Sequence, residues 1–380
     1  MRRLVALDLP AGPDFVRYMT ECFNKNEAIS PIDQRLEGRA RERVLSALRP
    51  TDVIDRFGEH HVLNNGEMVE DKDLVVVATS GTTGEPKGVV LTEAAVRASA
   101  IATSSRLGVD PDSDHWLGCL PLNHVGGLSV ALRSVLTGTA VTLLERFDIE
   151  RIDQALDEGA TLTSLVPTTL SRLGSSRQER FRKILLGGST IIHEPGPNTV
   201  ATYGMTETGS GVIYDGYPLD QVEIEIGEGG EIALRCPMLL RCYRDGTDPR
   251  DSRGFFHTGD IGTLDDVGRL QVFGRISELI ISGGEHVWPV ALEQLLIDMP
   301  GVEEIGIVGI DDKEWGQRVV GVVVPQSHRS PDIELLNEVC RREIGPWAML
   351  KELHLVGALP RTSIGKLDRS ALVSFVKDSA

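Results

Sequence analysis

Ten residues constrain this chain more than any others: Thr79-Ser80-Gly81-Thr82-Thr83-Gly84-Glu85-Pro86-Lys87-Gly88. They follow Leu74-Val75-Val76-Val77-Ala78, a β-branched run that reads as a buried strand. Val89-Val90-Leu91-Thr92 comes next, and Glu93 to Ala102 then reads as a helix with Thr92 at its N-cap. A strand that feeds a loop of hydroxyls and glycines closed by a lysine suits a polyphosphate. Glycines admit the backbone close to the anion, hydroxyls and N–H groups donate to it, and Lys87 supplies charge. The loop is not of the G-x-x-x-x-G-K-[ST] type, because Pro86 precedes Lys87 and Gly88 follows it. Taken alone, the same composition fits a flexible surface loop.

A second cluster supports the first. In Thr202-Tyr203-Gly204-Met205-Thr206-Glu207-Thr208-Gly209, Tyr203 offers a flat ring for a purine to stack on. Thr206 can donate to a phosphate, and Glu207 is a hard oxygen ligand suited to Mg²⁺ bridging phosphates. A turn with a surface glutamate would look similar. The residues after Tyr203, namely Gly209, Ser210 and Gly211, are small enough to leave room for a ring, with Val212 and Ile213 as an apolar wall.

Together these motifs resemble the adenylate-forming acyl-CoA synthetases, the superfamily that includes luciferases and peptide-synthetase adenylation domains. The resemblance covers residues 79 to 369, in the family's order. It implies an enzyme that joins a carboxylate to AMP and passes the acyl group to a thiol, with ATP, Mg²⁺ and CoA as cofactor and co-substrates. It further implies that His124, before Gly126-Gly127, lines or gates the acyl pocket. Gly187-Gly188-Ser189 would lie against the adenine, and Asp260 would accept the ribose hydroxyls, for which a carboxylate has the lone pairs. Arg275 would reach ribose or phosphate. Ser277 stands where the family has a hinge residue, usually Asp or Lys, and Ala291 replaces the usual Glu of a following Pro-x-Glu element. Gly283-Gly284 would line the thiol tunnel, and Lys366, in Pro360-Arg361-Thr362-Ser363-Ile364-Gly365-Lys366, would be the catalytic lysine. Without the resemblance, Lys366 would read as a solvated lysine and His124 as a structural one.

The expected fold is α/β: a large N-terminal domain of layered, mainly parallel sheets over 1–275 and a small mobile α+β domain over 276–380. Phe15–Asn24 and Leu36–Leu48 read as amphipathic helices and Asn64-Asn65-Gly66 as the tip of a polar hairpin. The region ahead of residue 74 looks shorter than the family's, and residues 190–200 leave room for a loop rather than a helix.

The formal net charge of −17 argues against a nucleic-acid partner. No run approaches 18 apolar residues, and Met1–Asp8 is too short for a signal peptide. Five scattered cysteines without a C-x-x-C pair read as reduced thiols of a cytoplasmic protein. The expected partners are therefore small molecules, with a homodimer left open. The run Gly209–Asp220 is similar to that of the short actinobacterial o-succinylbenzoate–CoA ligases of menaquinone biosynthesis. Another aryl- or acyl-CoA ligase or a carrier-loading enzyme is the alternative. A nucleotide-binding regulator without catalysis is a further one, opposed by the presence of both Glu207 and Lys366.

Overall fold

A computed structural model describes residues 1–80, 85–188, 196–362 and 366–379. The chain divides into two compact units. The first comprises Met1–Gly188, Pro195–Ile224 and Leu234–His257, and the second includes Glu225–Ala233 and Thr258–Ala380. This division by packing and the motif-based division at 275/276 do not coincide.

The first unit contains two seven-stranded sheets. In one, Ala28–Pro31, Leu4–Leu7 and Asp52–Ile54 are parallel neighbours, and Asp73–Ser80 joins them in parallel beside Ala28–Pro31. Alternation along these strands sorts side chains to two faces. Val5, Leu7, Val75 and Val77 meet Phe15 and Met19 of helix Pro13–Asn24 and Leu128 of helix Val125–Thr137. Leu4, Ala6, Val76 and Val90 meet Leu48, at the end of helix Gly38–Leu48. In the other sheet Ala140–Leu143, His115–Gly118, Leu162–Leu165, Lys183–Leu186 and Thr199–Met205 run parallel, and Ser210–Tyr214 returns antiparallel.

The opening residues form an interior strand, Leu4–Leu7, each of whose side chains is buried on one face or the other. One expectation needed correction: the hairpin tip is Asp55–Glu59, not Asn64-Asn65-Gly66. Asp55 Oδ1 accepts from the N–H groups of Phe57 and Glu59, both at 2.9 Å, and Gly58 takes φ 81°. Gly66 lies instead against Pro50, whose carbonyl oxygen would be 2.3 Å from an added Cβ. After His124, Val125–Thr137 forms a helix, and Gly127 permits its first turn to approach the Pro121 carbonyl, which would be 2.4 Å from a Cβ. The expectation for residues 190–200 falls mainly outside the described residues.

The second unit is α+β. Val302–Asp312 and Gly316–Pro325 form a long antiparallel pair, with Glu352–Leu355 parallel to the latter. Ile305, Ile307, Val319 and Val323 pack with Leu292, Leu296 and Leu336 from helices Pro289–Leu296 and Ile333–Glu343. Val308, Ile310, Val320 and Val322 pack with Leu372 and Val376 from helix Arg369–Asp378. Among the described residues, no helix is long and apolar enough to cross a membrane.

Candidate active site

The ten-residue motif is the tip of an antiparallel hairpin. Asp73–Ser80 pairs with Pro86–Thr92, with Thr79 opposite Lys87 and Ser80 opposite Pro86. Gly81, Thr82, Thr83 and Gly84 lie outside the described residues. Thr92 caps the following helix, Glu93–Leu107, by accepting from Ala95 N–H at 3.1 Å.

Glu207 sits in a 3₁₀ turn, Thr206–Thr208, at the end of strand Thr199–Met205. The Thr208 hydroxyl accepts from Met205 N–H at 2.9 Å and lies 2.7 Å from the Ser210 carbonyl oxygen. Gly204 occupies a bulge where a Cβ would stand 2.2 Å from that same oxygen, so only glycine fits. The Leu240 N–H donates to the Glu207 carbonyl at 2.7 Å, and the Tyr243 hydroxyl donates to Glu207 Oε1 at 3.0 Å. Burial, the negative Glu207 and its hydrogen bond raise the Tyr243 pKa, so the phenol remains a donor. Lys87 Nζ stands 5.1 Å from the centroid of the Tyr243 ring.

Gly187 and Gly188 follow strand Lys183–Leu186, beside Thr202 and Tyr203 on the neighbouring parallel strand. A Cβ on Gly187 would be 2.6 Å from Thr202 Oγ1, and Gly188 has φ 90°. Ser189 lies outside the described residues. These groups cluster at carboxyl ends of parallel strands, where open α/β sheets bind ligands.

His124 is the residue before helix Val125–Thr137. Its Nε2 is 3.3 Å from Asn123 Nδ2, which donates to Asp33 Oδ2 at 3.3 Å. Burial would raise the Asp33 pKa, but hydrogen bonds from Arg35 and the charges of Arg35 and His124 hold it below the usual aspartate value. The Ser210 hydroxyl lies 3.2 Å from that of Ser99, inside the core. Gly209 has φ 70°, and a Cβ on Gly211 would be 2.9 Å from Thr202 Cβ. Val212 and Ile213 are fully buried.

Helix Val125–Thr137 also carries Arg133, 2% exposed, with its guanidinium carbon 4.7 Å from the Trp116 ring centroid. Among the described residues its Nε and Nη1 have no hydrogen-bond partner. Burial pushes this guanidinium's pKa down, with the nearby Tyr214 opposing. A buried cation with unpartnered donors is costly, and the Trp116 ring offsets part of that cost. A lone charge within the apolar run Leu128–Leu136 was the signal that could have drawn attention to it.

In the second unit, Asp260 and Arg275 are cross-strand partners joined by a 3.1 Å ion pair between Oδ1 and Nε. Lys366 has Arg275, Asp260 and Glu278 as its charged neighbours. Its side chain as a whole is exposed, yet desolvation and then Arg275 lower its pKa, opposed by the two carboxylates. Its loop is closed by Thr362 N–H to Lys366 O at 2.8 Å and Asp368 N–H to Pro360 O at 2.9 Å. Arg369 then grips the buried Glu293 through two nitrogens, at 2.5 and 2.9 Å, and Glu278 at 3.0 Å. Ser277 lies in the turn Ile276–Glu278. Gly283 and Gly284 form the two-residue link between Ile280–Ser282 and Glu285–Val287, with φ 62° and 85°, as a type I′ turn demands. The Gly283 N–H donates to Trp315 O at 2.8 Å.

The profile of the AMP-binding enzyme family matches residues 44–244, and that of the AMP-binding enzyme C-terminal domain matches 291–366. The chain belongs to the AMP-binding enzyme family, and the expected α/β architecture with a small C-terminal domain is borne out. Over 391 aligned residues it is 39% identical to the "Probable 2-succinylbenzoate--CoA ligase" of Mycobacterium tuberculosis, covering 97% of each chain. The o-succinylbenzoate CoA synthetase MenE of Bacillus subtilis, solved with the acyl-adenylate intermediate OSB-AMP, superposes with a TM-score of 0.83 at 28% identity. That match covers 98% of this chain and 88% of the other. The same enzyme in complex with ATP and magnesium ion gives a TM-score of 0.82 at 27% identity, covering 98% and 90%. These relatives bear out the expected class, an adenylate-forming acid–CoA ligase.

Proposed function

We propose that this chain joins 2-succinylbenzoate to CoA at the expense of ATP, through an acyl-adenylate. The observation that carries the substrate assignment is Arg133, a buried guanidinium with two uncommitted nitrogens. 2-Succinylbenzoate has two carboxylates: one is activated and the other stays ionised, and Arg133 supplies the counter-charge that a simple benzoate or a fatty acid would leave unpaired. The names of the relatives support the same substrate.

In the first half-reaction a substrate carboxylate oxygen attacks the α-phosphorus and pyrophosphate leaves. Thr79–Gly84 and Lys87 hold the phosphates, Tyr203 and Gly187-Gly188 the base, and Asp260 and Arg275 the ribose. A Mg²⁺ held by Glu207 would neutralise phosphate charge, and a carboxylate oxygen fits that ion. Lys366 offsets charge at the α-phosphate, so the rate comes from positioning and electrostatics. In the second half-reaction the CoA thiolate attacks the acyl carbonyl and AMP leaves, with Gly283-Gly284 lining the thiol's path and Ser277 as the hinge. A reducing, cytoplasmic setting accords with five cysteines that form no disulfide.

The test is pyrophosphate release, with and without CoA, over a panel of 2-succinylbenzoate, benzoate and medium-chain fatty acids. The highest kcat/KM is expected for 2-succinylbenzoate. A preference for fatty acids would overturn the substrate and leave the ligase chemistry standing.

A further inference from the structure

Tyr243 touches two parts of the phosphate site that are far apart in sequence. It belongs to the short strand Cys242–Tyr243, which pairs with Pro86–Thr92 so that Tyr243 lies opposite Val89, two residues from Lys87. Its backbone is held by a closed turn: Tyr243 N–H donates to Thr247 O at 2.8 Å, and Gly246 N–H donates to Tyr243 O at 2.9 Å. The next residue, Arg244, anchors this turn by donating to the carbonyls of Leu48, at 2.8 Å, and Met68, at 3.3 Å. From that fixed base the hydroxyl reaches Glu207 Oε1 at 3.0 Å, while the ring faces the Lys87 ammonium at 5.1 Å. Among the described residues, Glu207 Oε2 accepts no hydrogen bond.

We infer that Tyr243 is a positioning residue for the metal–nucleotide complex, its hydroxyl orienting the Glu207 carboxylate and its ring holding Lys87 at the base of the phosphate loop. The inference rests on the reading of Glu207 as the Mg²⁺ ligand. A flexible glutamate has three side-chain torsions to fix before it can bind an ion. A donor on one oxygen removes part of that freedom in advance and leaves the second oxygen uncommitted. The ring acts separately. A lysine against an aromatic face is confined yet still charged, which suits a group that must meet phosphate. The Asp245 carboxylate also acts on Lys87, so the ring is one of two groups that restrain it.

The test uses the full chain with Mn²⁺ as a spectroscopic substitute for Mg²⁺ and α,β-methylene-ATP as a nucleotide that cannot react. Electron paramagnetic resonance reads the Mn²⁺ dissociation constant for the unsubstituted protein, Tyr243→Phe, Glu207→Gln and the double variant. Tyr243→Phe keeps the ring and is expected to weaken Mn²⁺ about tenfold, the low end of the range for partners that orient metal ligands. In turnover, the Mg²⁺ concentration for half-maximal rate should rise while kcat at saturating Mg²⁺ nearly recovers. The double variant should bind Mn²⁺ no more weakly than Glu207→Gln alone, because both substitutions act through one carboxylate. Tyr243→Leu, which also removes the ring, should additionally weaken nucleotide binding at saturating metal. If Glu207→Gln weakens Mn²⁺ and Tyr243→Phe does not, or if the two effects add, the role of Tyr243 is overturned and Glu207 keeps its own. If Glu207→Gln leaves the dissociation constant unchanged, the metal-ligand reading itself falls, and the inference falls with it.

Discussion

Replacing Arg133 by methionine should change stability little while sharply lowering use of the substrate. In the protein without substrate the guanidinium is buried with Nε and Nη1 unpartnered. Leaving such donors dry costs about 1–3 kcal/mol, while the lost contact with the Trp116 ring gives back about 1–2 kcal/mol. Methionine fills similar space and asks for no partner. The net change in stability should then fall between a loss of about 1 kcal/mol and a gain of about 2 kcal/mol. Binding of a dianionic acid should suffer instead. A desolvated, charge-assisted hydrogen bond to a carboxylate is worth about 2–4 kcal/mol, so kcat/KM for 2-succinylbenzoate should fall ~30- to ~1,000-fold. The KM for ATP and the small residual rate with benzoate, which has no second carboxylate, should change little. Arg133→Lys should recover only part of the loss, since an ammonium lacks the planar fork. Chemical denaturation and steady-state kinetics on the three proteins suffice. A loss of several kcal/mol in stability, or equal losses of kcat/KM on benzoate and 2-succinylbenzoate, would refute the reasoning and make Arg133 a structural residue.

Three further predictions concern Lys366 and Asp114. Lys366→Ala should lower adenylation by about 10²- to 10³-fold and spare thioester formation from preformed acyl-adenylate and CoA, and rapid-quench assays of each half-reaction check this. Because desolvation and Arg275 lower the Lys366 pKa, the high-pH limb of adenylation should lie below the usual lysine range and vanish in Lys366→Arg. Asp114 accepts from Arg182 at 2.5 and 2.9 Å and from Thr161 at 2.7 Å; burial raises its pKa, but these bonds win and hold it below the ordinary 3.8. Asp114→Asn should therefore cost about 1.5–3 kcal/mol at pH 7. A depressed carboxylate contributes fully above its unfolded pKa and loses that contribution as pH falls through the folded one. Denaturation curves should show the gap closing below about pH 4.

What could be read in the sequence was what depends on neighbours along the chain. The hairpin base around Thr79 and Lys87, the Gly204 bulge and the Gly283-Gly284 turn each require particular residues locally, so the motifs were legible. The helix Val125–Thr137 was not, because glycine is a poor helix former; Gly127 is there for its close approach to the Pro121 carbonyl. Residues 1–73 hold no motif because their contribution is made across the fold, where Asp33 holds Asn123 beside His124. Tyr243 lies 36 positions from Glu207 and Arg369 lies 76 from Glu293, and no periodicity marks either pair. Short motifs therefore name the groups proposed to touch the ligands, whereas the partners that orient those groups come from tertiary packing. That division explains why the reaction class was legible in the motifs while Arg133, proposed to meet the substrate's second carboxylate, was not. A buried charge declares its purpose only when the fold shows that none of its described neighbours pairs with two of its nitrogens.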